Sequence, residues 1–206
     1  MNSSCRHSFC KSINYKIDGI ALLLTKKINY TCGDETILSI NTIISTKERF
    51  GRFKEMHSLP GGQYEEKDGC VLKCACREYC EEIHPQCSDY LDWKAFDKIF
   101  KSQGYFKTFL FQRGGFNTLV FIGVCPDDLT RASFSLNVKQ KDASNLPSCY
   151  KEIDSIEFID IDSKVPQTFE KCIYDYTDEL SPRDLNPSSY LKALLSYIQS
   201  NPNLMK

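Results

Sequence analysis

Pro60-Gly61-Gly62, followed by Arg77-Glu78-Tyr79-Cys80-Glu81-Glu82, is the stretch that decides how this chain reads. Pro60 stops a short extended piece over 56–59, and the two glycines free the backbone to approach a phosphate or a metal. Asp68 or Gly69 is placed to cap a helix over 70–83, which Pro85 ends. Val71, Ala75, Tyr79 and Ile83 recur along it as an apolar stripe that packs on a sheet. Glu78, Glu81 and Glu82 stand at i, i+3 and i+4, which is one helix face. Three adjacent carboxylates repel one another, so such a face is expensive unless a cation compensates it. Oxygen donors of high charge suit Mg²⁺ or Mn²⁺. An ion there would neutralise a pyrophosphate and polarise a water for attack on phosphorus. Arg77 can hold one of the carboxylates in position. A solvated acidic face is the plain alternative. The glycine loop after a strand tips the balance toward the metal.

Working outward, 15–25 reads as a strand whose apolar run, residues 20–24, suits a buried central position. Gly33-Asp34 marks a turn, and 36–45, rich in Ile and Thr, a second strand. A charged loop spans 47–54. After the central helix, 89–100 reads as a short second helix. The aromatic and β-branched runs 105–111 and 116–124, joined by Gln112-Arg113-Gly114-Gly115, form a hairpin. Residues 127–147 read as a polar loop with at most one strand, and 155–161 as a strand. The span 166–187 looks irregular, with aromatics at Phe169, Tyr174 and Tyr176, and 190–199 is an amphipathic closing helix. This order implies an α/β fold with a mixed sheet. Residues 1–14 are expected to be a flexible N-terminal segment and 15–206 one domain.

The chain has 206 residues, 41% hydrophobic and 26% charged, and a formal net charge of -1. No global field therefore draws nucleic acid to it, and any such contact needs a local patch. No apolar run is long enough for a bilayer, and the first ten residues lack the apolar core of a signal peptide. Eleven cysteines, an odd number, argue against a disulfide framework and for reduced thiols. Cys70, Cys74, Cys76, Cys80 and Cys87 crowd one stretch, and Cys70, Cys74 and Cys80 with His84 suggest zinc. The spacings lack paired Cys-x-x-Cys knuckles, so buried small hydrophobes are the better reading.

The stretch 62–82 resembles the Nudix box: a glycine, an acidic residue, then Arg-Glu-x-x-Glu-Glu, with Pro60-Gly61-Gly62 similar to the family's usual lead-in. The resemblance implies a loop–helix–loop box in an α/β/α sandwich and a metal-dependent hydrolase of pyrophosphate linkages. It implies metal-binding or base positions for Glu78, Glu81 and Glu82, an orienting role for Arg77, and a backbone near the metal at Gly62. Three features depart from the pattern. The arginine stands one residue further from the glycine than usual. Asp68 occupies the place of a glutamate, unless the extra residue makes Glu66 the equivalent. His84-Pro85 replaces a Gly-apolar end. Downstream, the hairpin ending Phe121-Ile122-Gly123-Val124, then Tyr150-Lys151-Glu152-Ile153 and Phe158-Ile159-Asp160, resembles the mRNA-decapping Nudix enzymes of large cytoplasmic DNA viruses. A glutamate in the loop before that strand serves the wider family as base or further ligand. Glu152 is the candidate, and it reads equally as a surface glutamate at a strand start.

The function these residues imply is hydrolysis of a nucleoside diphosphate linked to another group, with Mg²⁺ or Mn²⁺. Cleavage of the mRNA 5′ cap, releasing methylated guanosine diphosphate, is the first expectation. ADP-ribose or another small nucleotide is the second, motivated by the near-neutral charge. A catalytically degenerate module that binds nucleotide, RNA or protein is the third; the inserted residue motivates it and the three glutamates oppose it. Phe50, Arg52, Tyr105 and Tyr150 are the candidate substrate contacts, with Phe53, Phe106 and Tyr174 as further rings able to stack a base. Core packing is the ordinary use of any one of them. Lys47, Arg49, Arg52 and Lys54 form a basic cluster that either tracks RNA phosphates or is simply solvated. Capped RNA or a small nucleotide is the expected partner, with no DNA and no membrane. The expected location is cytoplasmic, in a host's cytoplasm if the protein is viral.

Overall fold

A continuous apolar run in a strand has no face to give to water, so it must be covered on both sides. Residues 20–24 are such a run, inside β1 (Gly19–Cys32). Ile20, Leu22 and Leu24 point to one side of the sheet, Ala21 and Leu23 to the other, all buried. The first set packs with α2 (Val71–Glu78) and α3 (Trp93–Phe100). The second meets Leu191, Leu194 and Ile198 of the closing helix, α5 (Ser189–Ser200). A sheet between two helical layers results. The computed structural model describes residues 8–32, 36–50, 54–84, 91–102, 104–161 and 187–205. The turn read at Gly33-Asp34, Pro85, and the irregular span 166–186 lie outside them.

The sheet is mixed. β1 runs parallel to β6 (Phe116–Val124), while the other strand pairings among the described residues are antiparallel. β6 continues to β5 (Tyr105–Arg113) and the edge strand β4 (Lys101–Ser102). On its other edge β1 meets β2 (Thr36–Glu48), but only from Thr25 onward. Below that point residues 60–62 take over the edge: the Ile20 and Leu22 amides donate to the Gly62 and Pro60 carbonyls at 2.9 and 2.7 Å. The freed half of β2 pairs with β3 (His57–Ser58) and β7 (Ile153–Asp160). This divergence of β1 and β2 wedges the glycine loop into the sheet. The hairpin turn needs only two residues, Gly114 and Gly115, with φ of 56° and 79°, because a tight hairpin matching the strand twist requires positive φ.

Three local readings need correction. Residues 127–147 are not a polar loop: they contain α4 (Arg131–Ala143). Thr130 Oγ1 accepts from the Ser133 amide at 3.1 Å and Ser133 Oγ from the Thr130 amide at 2.8 Å, and Phe134 anchors the helix in the core. Its Ser, Asn and Val residues have low helix propensity, so tertiary packing carries it. Second, neither Asp68 nor Gly69 caps α2. Asp68 ends a 3₁₀ turn, Glu66–Asp68, Gly69 has φ of 70°, and Cys70 is the cap residue, without a side-chain bond. Third, the helix over 70–83 is not uniform: past Glu78 it opens into a π turn, Tyr79–Ile83. Cys70, Cys74, Cys76 and Cys80 are buried in the apolar layer. A short helix, α1 (Ser8–Lys11), sets Phe9 against Phe106, ring centroids 5.5 Å apart.

Candidate functional site

The wedge fixes both glycines of the loop by close approach. A Cβ on Gly62 would be driven into the Glu78 carboxylate, and one on Gly61, where φ is 143°, into the Ile20 backbone. The Gly61 amide donates to Glu82 Oε2 at 3.1 Å. Two glutamates of the acidic face thus lie against the glycine loop, and only glycine leaves room for them.

Arg77 organises the rest. Its Nε and Nη2 donate to the two oxygens of Asp68 at 2.8 and 3.0 Å, a forked pair in which Asp68 is buried. Its Nη1 lies 2.8 Å from Glu78 Oε1 and 3.0 Å from Glu81 Oε2. Asp68, and not the exposed Glu66, is therefore the acidic partner of the arginine. The Glu65 amide completes Asp68 at 3.1 Å. Burial works to raise the Asp68 pKa, but the bonds from Arg77 and Glu65 outweigh it and hold the group below the ordinary value. The π turn carries Glu81 and Glu82 past Arg77 and closes with the His84 amide on the Tyr79 carbonyl at 2.9 Å. Such turns are enriched at functional sites.

The carboxylates share one field. Burial lifts Glu78 to about 7, Glu81 and Asp68 adding to it and Arg77 opposing. Glu82 is raised well above the ordinary value by burial, then by Glu78, Glu48 and Glu152, against the Gly61 amide. Glu152 is raised by burial and Glu81, and Glu48 by burial and Glu152. Five glutamates from three segments are involved: the end of β2, the helix with its π turn, and the approach to β7. The β2–β7 register, shifting between Lys47 and Glu48, sets Glu48 opposite Ile153, and the Arg49 amide donates to the Glu152 carbonyl at 2.8 Å. Sequence reasoning missed Glu48. It sits in a stretch read for its basic residues, and only the long-range pairing of β2 with β7 brings it to Glu152.

The donor set is all oxygen, and its negative charge exceeds what Arg77 brings. That chemistry fits a hard divalent cation. As the side chains stand, Arg77 Nη1 bridges Glu78 and Glu81, and among the described residues no three acidic, His or Cys groups are gathered closely enough to hold an ion. Glu78, Glu81, Glu82, Gly62 and Arg77 are brought together, with Glu152 within their field.

The candidate substrate contacts are scattered. Phe50 is exposed beyond the end of β2. Arg52, Phe53 and Tyr174 lie outside the described residues. Tyr150 is buried in the 3₁₀ turn Ser148–Lys151, just before Glu152. Tyr105, 58% exposed, opens β5. Gly62 is level with Ile20, Leu119 and Leu110 across the sheet, so Tyr105 stands five residues, about 16 Å, further along. Phe106 packs against the core. Lys47 pairs with Glu55 at 2.7 Å, and Arg49 with Asp142 at 2.8 Å and Asp154 at 3.2 Å, so two of the four basic residues are held in ion pairs.

No family model matches the chain, and no curated protein matches it in sequence. Among solved structures, the Nudix domain of Shewanella oneidensis NrtR, complexed with ADP-ribose, is similar over 94% of this chain and 92% of that one, at 9% identity and a TM-score of 0.40. Those values describe a loose likeness in chain path alone.

Proposed function

We propose that the chain is a Nudix-type hydrolase that cleaves a pyrophosphate linkage of a nucleotide with Mg²⁺ or Mn²⁺. One observation supports this above the others: the glycine loop lies against Glu78 and Glu82 while Arg77 grips Asp68 and bridges Glu78 to Glu81. In this reading Glu78, Glu81 and Glu82 hold the cation, and Gly62 gives the room and the nearby backbone. When bound, the cation neutralises the pyrophosphate and polarises the attacking water. Arg77 keeps two of the carboxylates in place while Asp68 holds Arg77. Glu152, its pKa raised, is the candidate proton acceptor, since a carboxylate tuned upward accepts a proton more readily near neutral pH. Glu48 stands beside it as a second candidate.

Cap cleavage is the substrate reading supported by the pattern of the hairpin and of residues 150–160. A second reading, ADP-ribose or a related small nucleotide, is favoured by the ion pairs at Lys47 and Arg49, which occupy charges that would otherwise follow an RNA backbone. Turnover of capped RNA and of ADP-ribose, each with Mg²⁺ and with Mn²⁺, separates the two. Release of methylated guanosine diphosphate at the higher kcat/KM supports cap cleavage, and faster ADP-ribose turnover supports the small nucleotide. No hydrolysis of either, nor of other nucleoside diphosphate derivatives, with either metal would refute the hydrolase and leave a binding module.

A further inference from the structure

Lysine is almost never fully buried without a partner. Lys141, in the last turn of α4, is 4% exposed, and its Nζ donates to the Glu81 backbone carbonyl at 2.9 Å. Glu81 belongs to the π turn that ends the helix, where carbonyls lack internal partners and a cation meets the negative end of the dipole. The next residue, Asp142, takes Arg49 Nη1 on both oxygens, at 2.8 and 2.9 Å. Arg49 follows Glu48, and its amide is bonded to the Glu152 carbonyl. The Ser144 and Asp142 carbonyls accept from Lys151 Nζ at 2.9 and 3.4 Å, and Lys151 precedes Glu152. One end of one helix therefore reaches all three segments that bear the five carboxylates. None of these bonds uses a side chain of the five.

We infer that the C-terminal end of α4, through Lys141 and Asp142, is a positioning device that sets the separation of Glu81 and Glu82 from Glu48 and Glu152. The inference rests on the reading that these carboxylates take a divalent cation. Like charges push their carriers apart, and a cation site needs those carriers at a fixed spacing before the ion arrives. Tethers on backbone and on neighbouring residues supply that spacing without spending the ligands.

The test is Mn²⁺ titration by calorimetry into metal-free wild type, Lys141→Met and Asp142→Asn, with thermal melts in chelator and then kcat and KM for hydrolysis. Methionine keeps the length of lysine without its charge, and Asp142 is 41% exposed on its side chain, so its variant should fold. Expected are metal-free melts within a few degrees of wild type and Mn²⁺ binding weakened tenfold or more in Lys141→Met and threefold or more in Asp142→Asn. The turnover number should fall and KM stay unchanged at sub-saturating metal. Folded variants that bind Mn²⁺ as tightly as wild type would overturn the inference alone. If Lys141→Met does not fold, unchanged affinity in Asp142→Asn overturns it by itself. A wild type that binds no Mn²⁺ would overturn the underlying reading and the inference with it.

Discussion

Glu78→Gln should make the metal-free protein more stable at pH 8 and change it little at pH 5. Glu78 is 6% exposed, and burial raises its pKa from 4.5 to about 7. Arg77, 2.8 Å away, opposes that shift, while Glu81 and Asp68 add to it. A carboxyl with a raised pKa binds its proton more tightly in the folded state than in the unfolded chain. Its contribution to stability is fully present below the unfolded value near 4.5 and is lost as pH rises through about 7. At ~1.4 kcal/mol per unit, the loss across that window is about 3 kcal/mol. Glu82, Glu152 and Glu48, all raised, act in the same direction. Glutamine keeps the shape and removes this titration, but it weakens the contact with Arg77, so about 3 kcal/mol is the ceiling of the gain. At roughly 2–4 °C per kcal/mol for a chain of this size, the melting temperature at pH 8 should rise by several degrees. Melts with chelator at pH 5, 6, 7 and 8 check this, and Mn²⁺ should flatten the wild-type profile by keeping Glu78 ionised. Parallel pH profiles for wild type and variant in chelator would refute the reasoning.

Arg77→Lys trades a fork for a point charge and leaves the buried Asp68 half-satisfied; a loss of about 2 kcal/mol in urea melts and at least a tenfold drop in turnover are expected. Gly62→Ala drives a Cβ into the Glu78 carboxylate, so Mn²⁺ affinity in calorimetry should fall tenfold or more while far-UV circular dichroism stays native. Phe134→Ala empties the core beneath α4 and should cost about 3–5 kcal/mol in urea, with Mn²⁺ affinity falling as that helix loosens.

The helix with its glutamates was legible because its signals are local: the apolar stripe, the charges at i, i+3 and i+4, and the glycines before it all lie within 60–83. The hairpin and the central strand were legible for the same reason. α4 was not, because its low-propensity residues are held in a helix by the burial of Phe134 and Lys141 against distant segments, which outweighs the local cap of Thr130 on Ser133. Glu48 was hidden in a run whose lysines and arginines dominate its pattern, and its role depends on a strand pairing between residues about a hundred positions apart. Sequence left Asp68 and Glu66 as alternatives; the reach of the Arg77 fork decides between them. The π turn has no sequence signature in this chain.

The most direct test of the central claim is a calorimetric Mn²⁺ titration of metal-free wild type beside Glu81→Gln and Glu82→Gln, with a thermal melt of each. Glutamine keeps the shape but donates only a neutral oxygen, so the account predicts measurable Mn²⁺ binding by wild type. It predicts binding weakened at least tenfold in both variants, whose metal-free melts are unchanged or slightly raised by the lost repulsion. Equal Mn²⁺ affinity in all three proteins, or none in wild type, would contradict it.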